Sequence, residues 1–373
     1  MTTPAMPEPQ IVEAESHLPP QWGLALQPAG CPICKQAHLV RAECMGQICP
    51  NCGQGKLEPQ PARLRDEPPE LLIPFTRKSS DLPSIFASFV KPVWLRSYDL
   101  NAEGLARRAV PIFWPMWLVD CNISGNWQAE MGYDYQVKSS QESYSGRDWQ
   151  TQEKIEKRVR WEPRLGQLRR HYDNIAAPAA SDHDQLSRLV GSYQAQASIP
   201  YASAQIEGVS IRIPDLHPEN TWPMAQSALD QAAAHECQQA SEAQHVRNFS
   251  IQAQYDHLNW TQLLQPMYMS YYIADDGQPR LVFVNGQTGV TGGVRLASQR
   301  KGCLWASLGG ATAVALFILY VLLVVAGTAI PVLGNLAVLV ILSALAVGVL
   351  SIVPAIWPWQ WNRKQQEQRV TQG

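Results

Sequence analysis

LWASLGGATAVALFILYVLLVVAG, Leu304–Gly327, and VLGNLAVLVILSALAVGVLSIV, Val332–Val353, decide the architecture of this chain. Between Gly302 and Asn362 there is no Asp, Glu, Lys, Arg or His. A helix needs about 20 apolar residues to cross a hydrocarbon core. The stretch supplies two such runs, joined by Thr328, Ala329, Ile330 and Pro331. A transmembrane helical hairpin over 301–362 is therefore expected, closed by Pro354 and Pro358, because soluble cores rarely run so far without a charge. With no carboxylate, imidazole or basic side chain inside either run, the hairpin reads as an anchor and not as an ion pathway. Gly309, Gly310, Ser343 and Gly348 permit close helix packing.

The flanks set the orientation. Arg295, Arg300 and Lys301 precede the first run, and Arg363, Lys364 and Arg369 follow the second, while the connecting turn is uncharged. The positive-inside rule puts both ends, including a basic and polar tail over 363–373, in the cytoplasm. Trp305, Trp357, Trp359 and Trp361 are expected in the headgroup layer beside Arg300, Lys301, Arg363 and Lys364, in contact with lipid. The opening MTTPAMPEPQ lacks the basic start and apolar core of a signal peptide, so the bulk of the chain is expected at the cytoplasmic face.

Composition agrees with one greasy end. Among 373 residues, 46% are hydrophobic and 17% charged, yet mean hydropathy is only -0.19, so the apolar residues are unevenly spread. Thirteen Trp and 12 Tyr exclude a uniformly disordered chain. Thirty basic residues balanced by 32 acidic ones disfavour a dedicated nucleic-acid binder. Eight cysteines in a chain this long are too few for a disulfide scaffold.

Residues 1–27, rich in Pro, Gln and Glu, are expected to be a disordered tail. Then comes CPICKQAHLVRAECMGQICPNCGQG. Cys31 and Cys34 form one C-x-x-C, and Cys49 and Cys52 another, so that two tight turns present four thiolates. This spacing predicts a structural zinc ribbon over 28–56, with Gly53 supplying backbone freedom after the second pair. A four-thiolate site leaves no open coordination position for catalysis. Cys44 is a fifth thiol nearby, either a spare or a substitute ligand, and Cys121, Cys237 and Cys303 are isolated. Lys35, Arg41 and Lys56 against Glu43 and Glu58 make no basic stripe, so no nucleic acid is expected on the ribbon.

A Pro-rich linker, 57–69, leads to an α+β cytoplasmic body over 70–300, mostly antiparallel. LLIPF, Leu71–Phe75, reads as a buried strand, and Leu82, Ile85, Phe86, Phe89 and Val90 have helical spacing after Asp81. AVPIFWPMWLVDCNI is expected to be one strand, or two broken near Pro115, and the polar stretch from Ser139 to Asp148 a hairpin loop. Arg158 to Ile175 is expected to hold two strands and Asp182 to Ala197 a helix. A further helix is expected from near Thr221 to about Ala243, turning Leu229, Ala232, Cys237 and Ala240 inward. The final strands turn at Asp276-Gly277 and Asn285-Gly286. Pro115–Leu118 and Pro266–Met269 form a faint internal echo. No G-x-S-x-G, Walker, H-E-x-x-H or G-x-G-x-x-G motif is present. His171, His183, His235, His245 and His257 lack metal spacing, and Asp275 and Asp276 read as solvated turn residues.

These pieces together resemble a bacterial family of zinc-ribbon membrane proteins, whose members often carry helicase, primosome or phage-replisome labels because of the ribbon. The resemblance rests on CPIC and CPNC, on LLIPFTRKSSDLPSIFASF, on VPIFWPMWLVD, and on LLQPMYMSYYIADDGQPRLVFVNGQTGV, of which FVNGQTG (Phe283–Gly289) is the most specific. Gln265 and Tyr268 depart from the family pattern, and 125–245 does not align. The resemblance implies a membrane docking partner in an envelope-stress or membrane-organising system, with phage-shock-type coiled-coil or SPFH (flotillin-like) membrane proteins as partners; the closed metal site, the missing catalytic motifs and the anchor favour a non-enzymatic adaptor or scaffold of the bacterial inner membrane. Homo-oligomerisation stays open. A membrane-tethered nucleic-acid binder and an enzyme acting on lipid or envelope material are the alternatives.

Overall fold

The computed structural model describes residues 11–14, 18, 22–23, 25–144, 146–327 and 331–370. Most of the expected N-terminal tail, the turn over 328–330 and the last three residues lie outside the described residues. The chain enters through β1 (Ile11–Ala14), β2 (Gln27–Gly30), β3 (Ala37–Val40), β4 (Glu58–Pro59), β5 (Ala62–Arg65) and β6 (Leu71–Leu72), then α1 (Leu82–Val90) and α2 (Ala102–Arg107). Two long strands follow, β7 (Val110–Tyr144) and β8 (Trp149–Pro178). Next come α3 (His183–Val190), β9 (Ile199–Pro200), β10 (Ser210–Arg212), α4 (Pro218–Ala240) and a third long strand, β11 (His245–Ile273). β12 (Pro279–Asn285) and β13 (Thr291–Gly293) lead into α5 (Gln299–Gly327), α6 (Pro331–Leu350) and α7 (Val353–Val370). The result is a mixed α+β body with a helical pair at its C-terminal end.

The main sheet has 11 strands, with the path β13-β12-β11-β7-β10-β3-β2-β4 and with β8, β6 and β9 attached beside it. The knuckle hairpin β2–β3 is part of this sheet. β3 pairs antiparallel with β10 (Ile211 opposite Leu39), and β10 pairs parallel with β7 (Ile211 opposite Phe113). The expected tail and linker are also absorbed. Leu64 of β5 lies opposite Val12 of β1, and β4 pairs with β2. Trp22, Leu26, Ala62 and Leu64 are buried. The prolines of 57–69 masked the period-two alternation of Ala62 and Leu64, which is the signature of a half-buried strand.

β7 passes through three environments. From Ile112 to Val119 every residue is buried, as expected of a strand covered on both faces. Burial then falls mainly on one side, at Cys121, Ile123, Ala129 and Met131, where Leu229, Ala233 and Cys237 of α4 cover the sheet. Beyond Gly132, the last residue paired with β11, β7 and β8 continue as a two-stranded ribbon to Tyr144 and Trp149. At about 3.3 Å per residue that ribbon is roughly 40 Å long. Three sequence readings are settled here. Ser139–Tyr144 is strand and not loop, because a backbone ladder continues where the apolar pattern has ended. Pro115 does not break the strand, because it falls between Phe113, the last residue paired with β10, and Met116, the first paired with β8. β8 is likewise one strand and not two, with Asn174 at φ +56° absorbing the register shift opposite Val119–Cys121.

The helices shift by smaller amounts. α1 buries Leu82, Phe86, Phe89 and Val90. α3 stops at Val190, short of Ala197, since Gly191 turns the chain at φ +74°. In α4, Ala233 is buried, the expected Ala232 is half-buried against the same cluster, and Ala240 is exposed.

The anchor is built onto the body. Ser298 caps α5 by accepting the Lys301 N–H at 3.1 Å, and donates its own hydroxyl to Asp275 at 2.6 Å. Asp275 is thus a fixture of the helix start and not a merely solvated turn residue. Windows of α5 and of α6–α7 are long and apolar enough to cross a membrane, and are only 0% and 11% buried, so the chain itself leaves their greasy surface uncovered. Pro354 and Pro358 do not end the second leg. The chain bends at Ser351–Ile352, and α7 restarts with Pro354 in its first turn, where no N–H is required. α7 returns to the body: Trp361 Nε1 donates to Arg295 O at 2.6 Å, and Asn362 accepts the Ala297 N–H at 2.8 Å. Trp357 and Trp361 pack against the cluster that contains Phe89 and Leu105. Trp361→Ala is expected to cost about 2 kcal/mol, below a full core deletion because the ring is only half-buried. The readout is the thermal midpoint of the full chain in lipid nanodiscs, and an unchanged midpoint would show that α7 is not docked.

Candidate metal centre

Cys31 follows β2 directly, and Cys49 sits beside the short bridge Ile48–Lys56. The two knuckles have matching backbones. Lys35 N donates to Cys31 O at 2.9 Å and Gly53 N to Cys49 O at 2.9 Å. Both residues after the pairs are left-handed, Gly53 at φ +69° and Lys35 at φ +62°, so the backbone freedom expected of Gly53 is used and an L-residue accepts the same conformation in the first knuckle. Gly55 is a second tight point, since a Cβ there would stand 2.3 Å from the Cys31 sulfur.

The four sulfurs of Cys31, Cys34, Cys49 and Cys52 lie within 4.8 Å of one another. Cys31 to Cys52 and Cys34 to Cys49 are each 3.7 Å. Tetrahedral metal–sulfur bonds of about 2.3 Å set sulfur–sulfur edges of about 3.8 Å. These four cysteines can therefore hold a metal ion. Backbone N–H groups aim at the cluster, Asn51 N at Cys49 Sγ (3.3 Å) and Gln54 N at Cys52 Sγ (3.5 Å). Burial pushes the Cys49 and Cys34 thiols up. Burial also opposes the Cys31 thiolate, but N–H groups of Cys34 and Ile33 outweigh it and hold that thiol below its usual range. A bound cation would displace the protons that burial otherwise favours. Cys44 stands apart from the group, buried with Ala29, Val40 and Leu57. Cys121 and Cys237 are buried small hydrophobes, and Cys303 is exposed.

Behind the cluster lies a polar assembly that the motif spacing did not reveal. Arg212 of β10, its side chain 1% exposed, pairs with Asp182 at 2.8 Å and reaches Asp215 at 3.6 Å. The same guanidinium donates to Asn51 Oδ1 and to Gln36 Oε1, each at 3.0 Å, and lies 3.9 Å over the Trp114 ring. Asn51 passes the link on, with Nδ2 3.7 Å from Cys34 Sγ. His38, fully buried, places Nε2 3.9 Å from Cys49 Sγ, and burial together with the Arg212 charge lowers its pKa to about 3, so it is neutral. The available signal was an arginine between two isoleucines, Ile211 and Ile213, in an alternating strand: a buried charge must find partners.

The residues expected at the membrane divide into two groups. Trp305 and Trp359 are exposed, as are Arg300, Arg363 and Lys364. Trp357 instead meets Trp94 (ring centroids 5.6 Å) and stacks on Trp361 (5.2 Å). Lys301 lies 3.8 Å over Tyr98. Trp94 and Tyr98, 59% and 75% exposed, bring the body's 91–98 loop to the foot of the hairpin, a position that nothing in the loop's own pattern announced. His171 and His245 pair with Asp173 and Asp134 on the open sheet face, away from the sulfur cluster.

Comparison with protein-family models, curated proteins and solved structures returns no match for this chain.

Arg212→Met is expected to destabilise the fold by about 3–5 kcal/mol, because Asp182 is left as an uncompensated partly buried charge. Chemical denaturation of the full chain checks this, and a loss under 1 kcal/mol would contradict it. Gly55→Ala is expected to reduce bound metal well below one equivalent per chain by elemental analysis. Full occupancy would show that the cluster tolerates the added methyl.

Proposed function

We propose that this protein is a non-enzymatic adaptor of the bacterial inner membrane. Its ribbon binds structural zinc, its hairpin crosses the bilayer with both ends cytoplasmic, and its body docks membrane-associated scaffold proteins. The observation that carries the reading is that the sulfur knuckles and the anchor are fastened to one sheet. The ribbon enters through β3–β10–β7, and the anchor through Asp275–Ser298 and the Trp361–Arg295 contact. Such a body can transmit position from the bilayer to a partner without a catalytic step. A four-cysteine set supports zinc in a closed site. Exposed Trp94, Trp305 and Trp359 with nearby cations support a seat in the headgroup layer. The resemblance noted from the sequence points to phage-shock-type coiled-coil or SPFH-like partners.

Ile33, 57% exposed on the first knuckle, and Tyr144, 60% exposed at the tip of the long ribbon, are two of the outward apolar positions open to contact. A photo-crosslinking residue placed at either position, in native membranes, is expected to capture a membrane scaffold of these classes. Capture through position 33 is expected to vanish in the Cys49→Ser, Cys52→Ser double variant. Crosslinks to nucleic acid alone, or capture through position 33 undiminished in the double variant, would contradict the reading.

A further inference from the structure

A cavity of about 220 Å³ lies over the β7–β11 face, between the core cluster that contains Trp114, Leu186 and Met267 and the one that contains Met116, Leu118 and Leu263. Its other wall is α3 and the loop that follows, from His183 to Ala195. Ser192, an exposed member of the lining, marks where it reaches the surface.

Two polar side chains in this lining, Gln265 and His183, have no hydrogen-bond partner among the described residues. Trp114, 4% exposed, contributes to the apolar wall, its Nε1–H sealed by packing. Gln265 is directly opposite Trp114 in the β7–β11 register, so both side chains share one face of the sheet. It is 7% exposed, and its amide makes no hydrogen bond among the described residues. The His183 imidazole is likewise without one, and burial lowers its pKa, so it is a neutral donor and acceptor. No carboxylate lines the cavity, and the Arg212 guanidinium is committed to its own partners.

The wall is braced, not incidental. Asn285 Nδ2 donates to Val190 O at 3.2 Å, Gln194 N donates to Gln287 Oε1 at 2.8 Å, and Gln287 Nε2 returns a bond to Gln194 O at 3.3 Å. The Asn-Gly-Gln-Thr-Gly turn of 285–289, which the adaptor reading leaves without a task, thus holds the α3 end and its loop at a fixed distance from the sheet.

We propose that this cavity is a binding site for a small neutral amphiphile: a compact aromatic or branched aliphatic body bearing one carbonyl or amide group. The carbonyl or amide group of the ligand meets the Gln265 amide, with the His183 imidazole as the second polar group of the lining. Met116, Leu186, Val190 and Met267 enclose the apolar part. Size agrees, since an apolar cavity of about 150 Å³ accepts benzene, and the additional volume here accommodates a polar substituent. A charged ligand is disfavoured because the lining offers no free counter-charge.

The test uses the full chain in lipid nanodiscs with 4-fluorobenzamide as the probe, read by fluorine NMR, and empty nanodiscs as the partition control. Saturable uptake by the native chain is expected, at least tenfold tighter than for fluorobenzene. Val190→Phe fills the space and is expected to weaken uptake tenfold or more. Gln265→Leu keeps the bulk and removes the amide, so it is expected to erase the preference for the amide over fluorobenzene while preserving the fold. Uptake no greater than in empty nanodiscs would mean that water alone occupies the cavity, and uptake by both variants equal to that of the native chain would place the probe elsewhere. Either result overturns the proposal.

Discussion

A guanidinium taken out of water holds the parts of this protein together. Arg212 touches the ribbon through Asn51 and Gln36, the α3 start through Asp182, and the central strand through the Trp114 ring. Removing a charge from solvent costs several kcal/mol unless every partner is in place. The arrangement therefore works only when knuckle, helix and sheet adopt one relative position. A paired C-x-x-C segment could be a bead on a string, but here the bead has a socket, and the socket is charged.

The anchor obeys the same economy of placement at the other end of the sheet. A carboxylate in the β11–β12 turn and a capping serine set the first turn of α5, and α7 comes back to lay two indoles on the α1–α2 layer. α5 and α6 are long and apolar enough to cross a membrane, and the chain itself leaves their outward faces bare; in the proposed function a bilayer covers them. With both the sulfur cluster and the helical pair fixed to the same strands, the two are linked by backbone ladders and not by a flexible connection.

Much of this was legible in the residues because the signals were local. Two charge-free runs, two C-x-x-C pairs and the spacing of Leu82, Phe86 and Phe89 each report on their own neighbourhood. What escaped was non-local. The ladder that prolongs β7 and β8 past Lys138 is made of main-chain bonds that polar side chains do not advertise. The β4 and β5 strands hid under prolines, and Pro115 is harmless only because neighbouring strands begin and end around it. Arg212, Asn51 and Gln36 are separated by up to 176 residues, so no spacing could join them. Asp275 looked ordinary because its partner, Ser298, belongs to the next element.

Hydrogen–deuterium exchange on the full chain in nanodiscs, with and without a zinc chelator, tests the unity of ribbon and body most directly. Stripping the metal should raise exchange across 31–57 and also in β10 and the first turn of α3, where Arg212 and Asp182 lose their fixed geometry, while α5 and α6 stay protected. Faster exchange confined to 31–57, with β10 and α3 unchanged, would show that the ribbon is an independent module and would contradict the account.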